Sequence, residues 1–303
     1  MKISAPGKLM LFGEHAAVYG YPCIVTAVSE RMVVSIDKTM DEKVAIHAPQ
    51  AKNTQFVEQA VKKTCEALNI THTGLSIHTS CSFSGVFGFG ASSAVTVATV
   101  FALTQLFGKP IEKKDVFDLA YHIVSDIQKA GSGFDVAAAV YGGTLYYEQF
   151  GKIIEPLVFD STSFIVGYSG VKADTVALVG EVRKKKEREP EKIDRIFQAI
   201  TKIVLDAKKE MKEKDWERVG LLMDFNQEYL RDLGVSTEKL EAMITAAKRA
   251  GAYGAKLSGA GGGDCMIALV PQEERKAVND AITNVGGQVI NVSVNTEGVK
   301  VEN

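Results

Sequence analysis

The chain has 303 residues, enough for two domains of ordinary size. With 46% hydrophobic and 24% charged residues it has the balance of a globular protein with a real core, which excludes disordered, collagen-like and disulfide-stapled classes. Thirty-five basic residues against 37 acidic ones leave a formal net charge of −2, without the basic excess of a nucleic-acid or membrane-surface binder.

The opening MKISAPGKLMLFGEH is broken by Pro6 and Gly7 and carries charge by Glu14, so it is not read as a signal peptide. Ile3 begins one short strand and Leu9 to Phe12 another, with APGK as a turn between them. Met32, Val34 and Ile36 alternate with polar neighbours, as do Val44 and Ile46, the period of half-buried strands. Residues 54–69 place Phe56, Val57, Ala60 and Val61 at helical spacing, and Leu75 and Ile77 mark a further strand. A glycine-rich loop then opens into 91–107, small and apolar nearly all round, which predicts a buried helix. A helix over 113–129, the loop AGSGFD and the strand GGTLYYEQF complete the first half.

From about residue 161 the strand FIVGYSG is followed by three helical stretches, 174–187, 191–212 and 214–231. The basic run RKKKER at 183–188 sits among four glutamates and reads as a solvated helix end. GAYGAKLSGAGGGDCMIALV is strand, glycine loop, strand; a helix from 272 and a strand at 288–293 close the chain. The fold class is α+β, with units 1–160 and 161–303. Cys23, Cys65, Cys81 and Cys265 lie far apart with no CxxC pair, as reduced thiols do, and no run approaches the ~18 apolar residues of a membrane span. Both features point to the cytoplasm, with neither a membrane nor a nucleic acid as partner.

Three glycine clusters stand out: 5–8, 85–94 and 258–264. Glycine lets backbone N–H groups converge and a ligand approach closely. The second cluster, with Gly85, Gly88, Gly90, Ala91, Ser92, Ser93 and Ala94, opens into a helix, whose N-terminus favours anions. Ser92 and Ser93 suit either a helix cap or phosphate oxygens and a metal bound to them. Neither a Walker A loop nor a dinucleotide fingerprint fits: no Gly-Lys is followed by Ser or Thr, and Ser93 stands where the third fingerprint glycine belongs. Asp135 lies within an apolar, small-residue stretch, where a carboxylate caps a helix, finds a partner or works. Lys8 is the obvious partner. Such a pair beside a phosphate loop suits phosphoryl transfer, with Asp135 as general base and Lys8 neutralising developing charge.

SAPGKLMLFGEHAAVYG, GFGASSAVTVA, GSGFDVAAAVYGG and KLSGAGGGDCMIAL, in this order and spacing, resemble the motifs of the GHMP kinases over essentially the whole chain. The resemblance implies an N-terminal ribosomal S5-like α/β domain, a C-terminal ferredoxin-like domain, ATP and Mg²⁺ as cofactors, a small-molecule acceptor and a homodimer. It casts Asp135 as base, Lys8 as its partner, Ser93 as Mg²⁺ ligand and the 85–94 loop as the ATP cradle. Glu14, His15, Thr175, Gly259, Ala260 and Gly261 become substrate-side positions.

The opening and the C-terminal helices are similar to the mevalonate kinases, whereas GSGFDVAAAVYGG and GAGGGDC are similar to the phosphomevalonate kinases. The family's loop proline is missing, its glycines are displaced by one, and Val124 stands where the mevalonate branch has a metal-binding Glu, leaving Asp126 as the nearest substitute. Beyond Lys8, only Lys129, Lys172 and Lys256 lie near the motifs. A phosphorylated acceptor needs more cations than that, so phosphorylation of the C5 hydroxyl of mevalonate is the expectation and phosphomevalonate the alternative acceptor. A binding protein on the same scaffold would need neither Lys8 nor Asp135.

Overall fold

A computed structural model describes residues 1–71, 74–82, 87–128, 131–158 and 164–302. The segment APGK is not a turn: it runs within one strand, β1 (Lys2–Phe12), antiparallel to β2 (Cys23–Lys38), with Ile3 opposite Val34 and Leu9 opposite Thr26. Proline and glycine fit because the register shifts between Pro6 and Lys8, and a bulge is one of the few places where a sheet accommodates them. The extra residue flips the side-chain phase. Before it Ile3 and Ala5, and after it Met10, join one apolar cluster, while Leu9 and Leu11 join the other. Lys8, two residues from Met10, therefore shares its face.

The far edge of β2 is divided. Residues 23–26 pair with β5 (Thr144–Glu148), which β6 (Ile153–Leu157) extends. Residues 32–38 pair with β4 (Leu75–Cys81), and β3 (Val44–His47) lies parallel to β4 across the helix α1 (Gln55–Ala67). The face that holds Met10 packs on α1, α2 (Ala91–Leu106), α3 (Lys113–Gln128) and α4 (Phe134–Tyr141). As expected from its apolar circumference, α2 is buried along most of its length.

The second sheet is antiparallel, in the order β10 (Gln288–Ile290), β7 (Phe164–Tyr168), β9 (Cys265–Leu269), β8 (Gly254–Ser258). The expected helices are α5 (Thr175–Arg188), α6 (Pro190–Glu213), α7 (Trp216–Asp232) and α9 (Arg275–Asn284). A further helix, α8 (Glu238–Arg249), lies outside the stretches expected from sequence, although Leu240, Met243, Ile244 and Ala247 bury one face at helical spacing. The basic run ends α5, where Lys185 donates to Leu233 O and Lys186 pairs with Asp194. One apolar cluster runs without a break from Leu9 and Leu11 through α6 into β7 and β9, so both sheets share it.

The chain's end departs from the expected unit 161–303: Val294 bridges Val28, and β11 (Lys300–Val301) pairs with β1. Arg31 on β2 fastens this return, donating to Ser4 Oγ at 2.6 Å, Glu297 O at 2.8 Å and Gly298 O at 2.7 Å. Replacing Arg31 by Ala removes charge-assisted bonds that together hold the tail, and is expected to cost about 2 kcal/mol in urea unfolding and to speed carboxypeptidase trimming of the tail.

Candidate functional site

Three backbone segments converge on the glycine loop at 87–90. From β1, the Lys8 amide donates to Phe89 O at 2.9 Å. Phe89 is buried, and Phe87 packs edge-on to Tyr168 of β7 while its carbonyl accepts from the Cys265 thiol at 3.3 Å. Gly88 and Gly90 have φ of +75° and +77°, a conformation glycine adopts at little cost. Gly90 is the N-cap of α2, and no side chain caps the helix, so the capping reading of Ser92 and Ser93 does not apply. The first-turn N–H groups of α2 are left for a ligand, and an anion is the natural one.

Ser93 is fully buried, and its hydroxyl donates to Asp135 Oδ2 at 2.5 Å. Asp135 lies in the first turn of α4 rather than at its cap, which is Gly133. The bulge in β1 turns Lys8 toward these helices, where its ammonium donates to Gly88 O at 2.9 Å and stands 5.9 Å from the Phe134 ring centroid. Lys8 and Asp135 make no direct ion pair. They flank Gly90 instead: a Cβ placed there would lie 3.5 Å from Lys8 Cε and 3.6 Å from Asp135 Cβ. Burial holds the Lys8 ammonium below the usual lysine range, and the charges of Asp135 and Asp264 oppose that shift. Lys8, Asp135 and Ser93 thus come together beside Gly90.

Glu14 and His15 follow directly from β1. The Glu14 carboxylate is completely buried in an ion pair with Lys256 of β8, which is equally buried. Burial pushes Glu14 up, and Lys256 beside it draws it back. Lys256, one of the few cations expected near the motifs, is thereby committed to Glu14 and to Leu257 O. Glu14 Oε2 has no hydrogen-bond partner. His15, with φ of +61°, brings its Nε2 within 2.9 Å of Ala260 O in the loop 259–263. Glu14, His15, Gly259, Ala260 and Gly261, the positions expected on the substrate side, therefore lie together. Thr175 begins α5 and is exposed, with Leu178 one turn on packed against Gly262.

Val124 is part of the apolar core, and Asp126, the substitute offered by the sequence, is bonded to Lys63 of α1 on the outer surface. A helical offset of two residues turns it away from the site. Among the described residues no group of three or more His, Cys, Asp or Glu can hold a metal. A hydroxyl beside one carboxylate nevertheless suits Mg²⁺, which keeps several waters and takes much of its coordination from substrate phosphates. When Ser93 donates to Asp135 its lone pairs remain free to ligate. Gly85 and Lys129 lie outside the described residues. Two polar groups at the loop were not singled out as site residues: Gln128 of α3, whose amide donates to Ser92 Oγ at 3.3 Å, and Asp264, against Gly88.

Two family models match the chain: "GHMP kinases N terminal domain" over residues 55–143 and "GHMP kinases C terminal" over residues 207–288. The mevalonate kinase of Pyrococcus furiosus is 35% identical over 99% of this chain and 97% of its own length. The crystal structure of L. major mevalonate kinase in complex with R-mevalonate superposes with a TM-score of 0.84 at 27% identity, covering 98% of this chain and 97% of that one. Streptococcus pneumoniae phosphomevalonate kinase has a TM-score of 0.86 at 18% identity, over 97% of this chain and 99% of that one, a likeness of fold.

Proposed function

The chain belongs to the GHMP kinases, and from that premise we propose that it transfers the γ-phosphoryl group of ATP to the C5 hydroxyl of mevalonate. Kinases of this family use ATP as phosphate donor, and the two-unit α+β fold is theirs. The observation that carries the reading is the convergence of Lys8, Asp135 and Ser93 around Gly90, at the uncapped start of α2.

In this reading the amides of 88–94 and the dipole of α2 bind the triphosphate. Asp135 accepts the proton of the acceptor hydroxyl as its oxygen attacks phosphorus. Its hydrogen bond from Ser93 fixes the rotamer in which it does so. Lys8, held by Gly88 O, places its positive charge beside the oxygens that gain charge during transfer. Mg²⁺, held by Ser93 and the phosphates, would neutralise charge on the transferring group. Glu14, His15, Thr175 and 259–261 form the acceptor side. Among the described residues no helix is long and apolar enough to cross a membrane. A homodimer and a cytoplasmic setting, in which Cys23, Cys65, Cys81 and Cys265 stay reduced thiols, complete the proposal.

Mevalonate and 5-phosphomevalonate, assayed side by side with Mg·ATP, test it. Consumption of mevalonate is the expected result; consumption of the phosphorylated compound alone would overturn the assigned acceptor.

A further inference from the structure

Asp264 follows the last glycine cluster in a left-handed conformation, φ +51°, and is nearly buried. Its backbone is tied twice to the loop before α5: its amide donates to Val171 O at 2.8 Å and its carbonyl accepts from Ser169 N at 2.9 Å. Its carboxylate does three things at once. Oδ1 accepts from Ala173 N at 3.0 Å and pairs with the Lys172 ammonium at 3.2 Å. Oδ2 lies so close to Gly88 that a Cβ there would approach it to 2.4 Å. The Lys8 ammonium is bonded to the carbonyl of that same glycine. Contacts thus run from Lys172 through Asp264 and Gly88 to Lys8, joining the second sheet to the loop of the first.

An ordinary surface ion pair has two exposed, mobile partners and is worth little. Here the side-chain exposure is 11% for Asp264 and 47% for Lys172. The carboxylate is fixed by a backbone amide and by the loop, while the Lys172 side chain keeps nearly half its surface open. That geometry immobilises a cation without neutralising it completely, and leaves N–H donors free for a third party.

We propose that Asp264 is a positioning residue that holds Lys172 at the mouth of the site, as a subsite for an anionic oxygen of a bound substrate. The inference rests on the phosphoryl-transfer reading above and deepens it. An anionic oxygen reaches this mouth from two sources, a phosphate of the nucleotide or the carboxylate of a hydroxy-acid acceptor. Interaction present equally in ground and transition states appears in KM rather than in kcat.

The test is steady-state kinetics of Lys172→Met, Lys172→Arg, Asp264→Asn and the double variant Asp264→Asn/Lys172→Met, with KM read separately for ATP and mevalonate. Lys172 is exposed at the surface, so its variants fold. Lys172→Met is expected to raise one KM about tenfold with kcat within about twofold, and the substrate affected names the source. Lys172→Arg should restore most of the loss. Asp264→Asn should raise the same KM, and the double variant should raise that KM no further than Lys172→Met, because both act on it through one ammonium; a fall in kcat common to the two Asp264 variants reports the separate charge of Asp264 beside Lys8. Unchanged KM for both substrates in Lys172→Met, or additive rises of that KM in the double variant, would overturn the proposal. An enzyme inactive on mevalonate in its unaltered form would instead overturn the reading on which it rests.

Discussion

Replacing Asp135 by Asn is expected to lower turnover with mevalonate by about 10²- to 10⁴-fold while leaving nucleotide binding in place. Asparagine is nearly isosteric, and its amide oxygen still accepts from the Ser93 hydroxyl, so α2 and α4 keep their positions. What disappears is basicity. An alcohol attacking phosphorus must give up its proton, and of the two carboxylates that face Lys8 the other, Asp264, is already held by Lys172 and the Ala173 amide. Lys8 also loses one of the two carboxylates that oppose its desolvation, which adds to the defect in the same direction. Turnover measured beside a titration of ATP with the same variant separates the two functions. Turnover within a few-fold of the unaltered enzyme would remove Asp135 from the role of base, whatever its place in the fold.

Much of this site was legible because its parts are local in sequence. The glycine loop and α2 are contiguous, and a run of small apolar residues too long for a strand can only be a buried helix. Asp135 announced itself as a carboxylate among alanines and valines. The shape of β1 was not legible in the same way. Pro6 and Gly7 read as a turn, and only the pairing with β2 makes them a bulge. Yet that bulge sets the phase of the strand: without it Lys8 and Met10 would share the face of Ser4, toward Arg31 and the C-terminal tail, instead of that of Ile3 and Ala5, toward α2 and α4. The helix α8 is a different case, since its apolar spacing and its Thr237 cap are both present in the sequence.

Contacts between distant residues account for the rest. Lys172 and Asp264 are 92 residues apart, and nothing in the composition of either neighbourhood marks the other. Asp264 was visible as a departure from the mevalonate branch, but its task depends on the second sheet delivering it to Gly88. Val124 illustrates the converse. A position that reads as a missing metal ligand is, in the folded chain, one more apolar residue of the core, and the acid two places on faces α1. In the proposed reaction, the thin supply of metal-binding carboxylates would put greater weight on Ser93, on the nucleotide's own oxygens and on the cations Lys8 and Lys172.

The buried pair Glu14–Lys256 should dominate stability in a way its sequence neighbourhood conceals. Its members are 242 residues apart and join the end of β1 to β8, behind the loop whose Ala260 carbonyl meets His15. Lys256→Met is expected to cost about 3–5 kcal/mol, because methionine fills the space but leaves a carboxylate buried without its counter-charge. Burial already pushes Glu14 up with Lys256 present, and removing Lys256 pushes it further. An acid whose pKa is higher folded than unfolded binds more protons in the folded state between those two values, so stability falls as pH rises through that window. Urea unfolding should therefore show a larger loss for Lys256→Met at pH 8 than at pH 5. Glu14→Gln/Lys256→Met, which removes both charges, should recover part of the loss and abolish its extra dependence on pH. A double variant as unstable as the single one, or a single variant equally stable at both pH values, would mean that Lys256 acts through packing alone and that the charge of Glu14 is not what the two sheets enclose.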